Sequence, residues 1–496
     1  MEEKQRPVDI LLIGEGTYPY VKGGVSSWIH QLVRGLPELN FGLVFLGSLP
    51  EEYGEIRYEL PDNLVYLESF YLFGNDVSMI GRSIEERDSF EAVESLYEWF
   101  RQGEGDIPEQ MRDIRFLTKE ITHEHFLHSK QSWEFVREKY QENCPDVPFI
   151  DYFWTVRNIH MPIWIIAKVV EKLPPFKIVH SPSTGYAGFL ASLASYHTGN
   201  PYLLTEHGIY TRERKIDMLS ADWIKFQKPA LLKQPEEFNY IKKMWVEFFM
   251  QIGMLSYHKA KRIYSLFPGA REIQIRFGAE ASKTEVIPNG VDVDGLGKCL
   301  PQRSEKVPRV ITLLGRVVSI KDIKTFIRAV RIVVNEMEDL EAWVVGPTDE
   351  DPLYVEECQN MVETLKLEKN FFFKGFQNIK DILPLTGILT LTSVSEGMPL
   401  TILEGFAAGV PCVATDVGSC RDLIYGGLNE EDIALGHAGV VTQIADPTAL
   451  AAAYIDLFTH EEKWKEAQQV ALTRVNRYYR EDAFLERYRT IYREVV

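Results

Sequence analysis

Apolar residues in this chain fall into two alternating patterns: short unbroken runs, and sets spaced three and four apart. Val8-Asp9-Ile10-Leu11-Leu12-Ile13 is a run of the kind that predicts a buried parallel strand. A glycine-rich loop, Gly14 to Gly24, follows it. Val25, Trp28, Ile29, Leu32 and Leu36 then share one helical face. Leu43-Val44-Phe45-Leu46 predicts the next strand, which completes a βαβ unit and points to a doubly wound sheet. Residues 71 to about 150 break the rhythm. They are rich in Glu, Gln, Arg, Phe and Trp, poor in Gly and without clear strand runs, and predict a mainly helical insertion. Strand runs return at Lys177-Ile178-Val179-His180 and Tyr202-Leu203-Leu204. A helical stretch at about 235–260 and strands at 262–264 and 285–287 complete the first half.

Gly295, Gly297, Pro301, Ser304 and Pro308 mark a boundary near 292–308. Beyond it, strands are expected at 309–314, 341–346, 370–374, 387–392, 411–415 and 439–442. Helices are expected at about 321–336, 352–366, 399–408 and 447–458. Phe484, Tyr488, Ile491, Tyr492 and Val495 form the stripe of a last helix. The expected organisation is an α/β domain over 1–295 with the insertion at about 71–150, a second over 296–475, and a terminal helix over 476–496 that packs back toward the first. Two such domains are expected to form a cleft. Ligands bind doubly wound sheets beyond the carboxyl ends of their strands, so functional residues are sought in the loops that follow strands.

Composition narrows the picture. The 496 residues, 45% hydrophobic and 25% charged, suit a soluble globular protein with a core that needs no staple. A net charge of −18 argues against nucleic acid as a partner. The basic clusters (Arg212, Arg214, Lys215; Lys259, Lys261, Arg262) are too short for a nucleic-acid footprint. Five cysteines without a CxxC spacing suit a reducing compartment. With no secretory h-region and no run of 18 apolar residues, the expected location is cytoplasmic.

The sharpest chemical signal is Ser395-Glu396-Gly397-Met398-Pro399-Leu400-Thr401-Ile402-Leu403-Glu404, which follows the expected strand 387–392. Pro399 suits a first helical turn, leaving the amides of 397–401 unpaired at the positive end of a helix dipole, a backbone-made anion site. Glu396 stands at its rim, and Glu404, two turns in, can reach a diol. By spacing alone the pair also fits a loop glutamate and a helix-surface glutamate. The second signal is Gly315-Arg316-Val317-Val318-Ser319-Ile320-Lys321-Asp322, after the strand 309–314. Its two cations are able to face the same anion and stabilise a departing diphosphate.

These segments, with Gly23-Gly24 and Pro288-Asn289-Gly290-Val291-Asp292, resemble the retaining nucleotide-sugar glycosyltransferases of family 4, which have the two-domain GT-B fold. The stretches Glu15 to Trp28 and Thr205 to Arg214 are more specifically similar to the cytosolic glycosyltransferases of Pel exopolysaccharide synthesis. The resemblance implies an acceptor-side first domain and a second domain that binds a UDP-sugar. Arg316 and Lys321 would hold the diphosphate and Glu404 the ribose hydroxyls. Glu396 would contact the transferred sugar, with Gly397, Met398, Pro399, Leu400 and Thr401 forming the amide-bearing loop. His207 would lie beside the sugar ring, Gly23 and Gly24 would let the first loop approach the phosphate or the acceptor closely, and Gly375 and Phe376 would neighbour the base. His207 alone also reads as a packed histidine, and Gly23-Gly24 as a turn. Asn289-Gly290 is taken as a fold marker. The resemblance further implies retention at the anomeric carbon, no metal or other cofactor, a polysaccharide acceptor, and synthase and export proteins of the inner membrane as partners that hold the enzyme at the membrane periphery.

Other patterns carry less. Pro19 breaks the dinucleotide fingerprint begun by Gly14-Glu15-Gly16. Asp349-Glu350-Asp351 and Asp292-Val293-Asp294 spell DxD, but the phosphates already have cations. His123, Glu124, His125 and His128 are read as a solvated face of the insertion, since His123 and His125 point to different sides of a helix. Rival functions are another GT-B enzyme, such as a sugar-phosphate synthase or phosphorylase, and a catalytically inactive nucleotide-sugar sensor or scaffold subunit.

Overall fold

The computed structural model describes residues 6–73, 88–102, 106–214 and 240–495. Lys215, the insertion's residues 74–87 and 103–105, and the opening of the helix expected at about 235–260 lie outside them. The chain divides into two compact units. The first comprises 1–265, 272–285 and 489–496, and the second 266–271 and 286–488.

The first unit is built on seven strands: β1 (Val8–Glu15), β2 (Phe41–Gly47), β3 (Leu64–Tyr71), β4 (Phe176–Ser181), β5 (Tyr202–Glu206), β6 (Arg262–Ser265) and β7 (Thr284–Val286). Their order is β3-β2-β1-β4-β5-β6-β7. β1 pairs in parallel with both β2 and β4, Leu12 lying opposite Leu43 on one side and His180 on the other. Ile10 to Ile13 are buried because helices cover both faces, which is why the strand reads as a continuous apolar run. The helix Gly24–Gly35 turns Trp28, Ile29, Leu32 and Val33 inward, close to the expected face. β3 was not expected. It is an edge strand, half-buried along its whole length, and Glu68 and Ser69 within it hide the apolar run.

The described part of the insertion is helical, with helices at Glu91–Gln102, His123–His128 and Lys130–Asn143 leading into Phe149–Val170. It shares one continuous core with the sheet rather than forming its own, as the Phe100–Phe248 ring pair at 4.9 Å illustrates. His123 and His125 are not the solvated face expected. His125 completes a reciprocal cap with Thr122, its Nδ1 2.8 Å from Thr122 Oγ1, and burial pushes the His123 imidazole down to about 4. No described helix is long and apolar enough to cross a membrane.

The second unit holds six parallel strands: β8 (Val310–Leu314), β9 (Glu341–Val345), β10 (Phe371–Gly375), β11 (Ile388–Leu391), β12 (Cys412–Thr415) and β13 (Gly439–Thr442). Their order is β10-β9-β8-β11-β12-β13. Each face of this sheet carries its own apolar layer. Two helix starts differ from expectation. Asp322 caps the helix Ile323–Val334 by accepting from Thr325 N–H, which separates Lys321 from it in a tight preceding turn. Pro399 precedes the helix Leu400–Ala407 as its N-cap instead of lying inside the first turn. In the last helix, Glu481–Val495, Phe484, Tyr488, Ile491 and Tyr492 of the expected stripe are buried, and Val495 is partly exposed.

Candidate functional site

Each sheet has one point where strand order reverses, between β1 and β4 in the first unit and between β8 and β11 in the second. Such switch points open a crevice at the carboxyl edge, because neighbouring connections leave in opposite directions. The two crevices are furnished differently.

At the second, the loops after β8 and β11 are stitched together. Val394 N–H donates to Ile320 O at 2.9 Å, and Thr392 Oγ1 to Lys321 O at 2.8 Å. Lys321 Nζ donates to Glu396 Oε1 at 2.6 Å, and Ser393 Oγ reaches the same oxygen at 2.5 Å. Both donors therefore use one carboxylate oxygen. Thr415, at the end of β12, holds Ser393 in turn by donating to its carbonyl at 2.6 Å. Gly418 closes the cluster from the next loop. It has φ of 53°, and an added Cβ would collide with the carbonyl oxygens of Glu396 and Gly397.

The helix Leu400–Ala407 opens beside this cluster with no side chain capping it. Its first amides carry the positive end of the helix dipole, which suits an anion. Glu404, inside this helix, lies in surroundings dry enough that burial alone pushes its carboxyl up to about 7. Met398 is buried, and its Sδ accepts from Asn289 N–H at 3.4 Å, so Asn289-Gly290 is a neighbour of this loop as well as a fold marker.

Arg316 does not join the Lys321–Glu396 cluster in this structure. Its Nη1 lies 2.6 Å from both carboxylate oxygens of Glu350, the middle of the Asp349-Glu350-Asp351 triplet, and both side chains are about half exposed. Gly375 ends β10, two strands from β8, a separation of about 10 Å. Phe376 after it is 73% exposed. A ligand anchored at the switch point has to lie along the sheet edge to reach them. Among the described residues, no group of three or more His, Cys, Asp and Glu side chains is placed to hold a metal.

The first unit fills its own crevice. Glu15, the last residue of β1, accepts from Ala187 N–H at 3.1 Å and from Tyr210 OH at 2.8 Å. It thus occupies the amide end of the helix Tyr186–Thr198 with a carboxylate of the protein itself. Gly185 is required there, since a Cβ would collide with the Tyr210 ring and crowd Glu15. Glu206, the last residue of β5, is fully buried with four donors: Thr184 Oγ1 at 3.0 Å, Tyr210 N at 3.2 Å, Tyr257 OH at 2.7 Å and Gln274 Nε2 at 3.1 Å. Burial still pushes its carboxyl up to about 7. These contacts fix the turn 207–210. His207 packs edge-on to Trp28 with ring centroids 4.8 Å apart, and its buried Nε2 has no hydrogen-bond partner among the described residues. Burial pushes it down to about 3, so the ring is neutral near pH 7. Among the described residues, nothing comes within 4 Å of a Cβ built on Gly23 or Gly24, so their packing does not demand glycine at either position.

The structure thus brings Lys321, Glu396, Glu404 and the 397–401 loop to one crevice, pairs Arg316 elsewhere, and sets His207, Gly23 and Gly24 in the other unit. Sequence reading missed Ser393, Thr415 and Gly418, whose role is to hold the glutamate loop, and Glu15. Glu15 had a visible signal: it is an acidic residue ending a strand at the mouth of a glycine-rich loop.

Residues 308–460 match the family described as glycosyl transferases group 1, and residues 8–282 match a domain of unknown function (DUF3492). The chain is 28% identical over 194 residues to the N-acetyl-alpha-D-glucosaminyl L-malate synthase of Bacillus anthracis, covering 39% of this chain and 46% of that protein. It is 28% identical over 175 residues to the UDP-Gal:alpha-D-GlcNAc-diphosphoundecaprenol alpha-1,3-galactosyltransferase of Escherichia coli, covering 33% and 44%. The chain therefore spans less than half the length of these curated relatives. Among solved structures, Anabaena HepE in complex with UDP and glucose superposes with a TM-score of 0.59 at 14% identity, covering 98% of this chain and 99% of that one. The sucrose-phosphate synthase of Thermosynechococcus elongatus gives 0.59 at 13%, covering 98% of each. At those identities the likeness speaks to fold, and it is the fold of two Rossmann-like sheets known as GT-B. With its model match covering more than half of the residues, the chain belongs to the DUF3492 family, and its second unit carries a glycosyl transferases group 1 region.

Proposed function

We propose that the protein is a retaining, metal-independent glycosyltransferase of the family 4 type. It moves a hexose or N-acetylhexosamine from a UDP-sugar to a growing exopolysaccharide chain of the Pel type, in the manner of PelF, which its Glu15–Trp28 and Thr205–Arg214 segments resemble. The observation that carries this reading is the crevice of the second unit. An ammonium and a carboxylate, Lys321 and Glu396, stand 2.6 Å apart beside the uncapped start of the helix that carries Glu404. The glycosyl transferases group 1 match over the same residues supports it.

In this proposal the diphosphate lies against Lys321, Arg316 and the first amides of the helix Leu400–Ala407, which stabilise the charge that develops as it leaves. Arg316 exchanges Glu350 for the ligand. Glu404 accepts from the ribose hydroxyls, and Gly375 and Phe376 border the base. Glu396 keeps Oε1 for Lys321 and Ser393 and offers Oε2 to a sugar hydroxyl. His207 lies beside the sugar ring, and Gly23 and Gly24 let the first loop approach the phosphate or the acceptor closely. The acceptor hydroxyl attacks the anomeric carbon on the face the diphosphate leaves, and its proton passes to the departing phosphate oxygen. No covalent adduct forms on Glu396, in contrast to retaining glycosidases, whose nucleophile is a carboxylate. In the cell the enzyme is cytoplasmic and held at the inner membrane by synthase and export proteins.

Calorimetric titration of the purified protein with a panel of UDP-sugars, followed by a transfer assay with a polysaccharide acceptor, tests this. One UDP-sugar binding with clear preference and being turned over is the expected result. Absence of binding by any member overturns it. Binding without turnover, acceptor present, favours the inactive sensor or scaffold.

A further inference from the structure

Tyr492 lies on the last helix, in the stretch 489–496 that belongs to the first unit, and is 1% exposed. Its hydroxyl is 2.8 Å from His180 Nδ1, and the other ring nitrogen, Nε2, is 2.9 Å from Thr205 Oγ1. His180, on β4, is thus held at both nitrogens. Burial pushes it down to about 3, so the ring is neutral and the two hydroxyls settle which nitrogen carries the proton.

Two connections run from this histidine to His207. Trp28 packs edge-on against His180, with centroids 5.4 Å apart at 88°, and against His207, at 4.8 Å and 73°. Thr205 sits two residues before His207 on the same strand end. Among the described residues His207 Nε2 has no hydrogen-bond partner, so packing against Trp28, itself packed against His180, bounds the direction of the ring.

We infer that Tyr492, carried by the C-terminal helix, is a positioning residue for His207, acting through His180 and Trp28. The inference rests on the reading of His207 as a sugar-contacting group. Losing the Tyr492 hydroxyl removes one of the contacts that fix the His180 ring and, through Trp28, loosens the packing around the imidazole of His207. The donor-binding residues of the second unit are untouched by this, so turnover falls while nucleotide binding holds.

Tyr492→Phe removes one oxygen and keeps the ring. The expected result is a drop of about tenfold in kcat with unchanged KM for the UDP-sugar, unchanged UDP affinity and an intact unfolding transition. Thr205→Val, which loosens His180 from its other side, is expected to act in the same direction. In a His207→Ala background the Tyr492→Phe effect shrinks to less than twofold, because the group being positioned is gone. The ring resonances of His207 in NMR spectra shift in Tyr492→Phe protein. Independent effects of the two substitutions, or His207 resonances that stay in place, overturn the inference. Wild-type turnover in His207→Ala alone overturns the reading of His207 itself, and the resonances then decide the positional link separately.

Discussion

Lys321 and Ser393, from loops that follow different strands, converge on the same oxygen of Glu396, at 2.6 and 2.5 Å. One carboxylate oxygen is thereby committed to the protein. With two donors on one oxygen, the plane of the carboxylate is restrained from both loops.

Removing either donor frees the carboxylate to rotate. Ser393→Ala is expected to lower kcat about tenfold with little change in donor affinity. In the proposed reading Lys321→Ala also removes a cation from the leaving group, and it is expected to lower kcat by about 100-fold or more. Arg316→Ala is expected to fall between them. Steady-state kinetics with the preferred UDP-sugar read all three, and intact-mass spectra during turnover should show no glycosyl adduct on Glu396.

Glu404 sets a pH dependence. Its carboxyl is raised to about 7, so below that pH it is protonated and above it a full acceptor for two hydroxyls. Binding a diol favours the ionised form. Affinity for a UDP-sugar, whose phosphates do not titrate in this range, should therefore rise between about pH 6 and 8 and level off above. Glu404→Gln should flatten the curve, and Glu404→Ala should weaken binding at every pH. Calorimetry across the range checks the sign. Unfolding has the opposite trend: a carboxyl raised above its ordinary 4.5 contributes stability below that value and loses it as pH passes 7.

Gly418→Ala tests the loop that holds Glu396 from behind. Its left-handed backbone and the crowding by the Glu396 and Gly397 carbonyls mean that the loop must move to admit a methyl group. A loss of about 100-fold in kcat is expected, with unchanged far-ultraviolet circular dichroism and a small drop in the unfolding midpoint.

Stability of the second unit has its own marker. Arg474 and Asp432 form a fully buried pair, Nε to Oδ1 at 2.7 Å, and Arg474 also donates to the carbonyls of Ile424 and Gly436. Asp432→Ala strands a guanidinium in the core and is expected to cost about 3–5 kcal/mol in denaturant unfolding. The same experiment on the exposed pair Arg309–Asp339 is expected to cost under about 1 kcal/mol.

Hydrophobic spacing carried both sheets. The runs at 8–13, 177–180, 309–314 and 387–392 are central strands, buried on both faces, and parallel strands in that position leave an unbroken apolar trace. The edge strand β3 left none, because one of its sides meets solvent and tolerates Glu68. Lys321, Glu396 and Glu404 were visible because ionisable side chains shortly after an apolar strand run stand out in a sequence. Ser393, Thr415 and Gly418 were not, since a hydroxyl or a glycine after a strand has many ordinary uses. Only the partner it meets gives it a role.

Sequence alone determined the two-sheet α/β plan, the helical character of the insertion and which loops bear ionisable groups, since periodicity and residue type are local properties. Tertiary structure alone decided which of two similar crevices is filled by the protein's own carboxylate. Glu15 meets the amides of Tyr186 and Ala187 across some 170 residues of chain, and Lys321 meets Glu396 across 75. A hydrogen bond depends on position in space, and only the folded sheets put those atoms within 3 Å or so of each other.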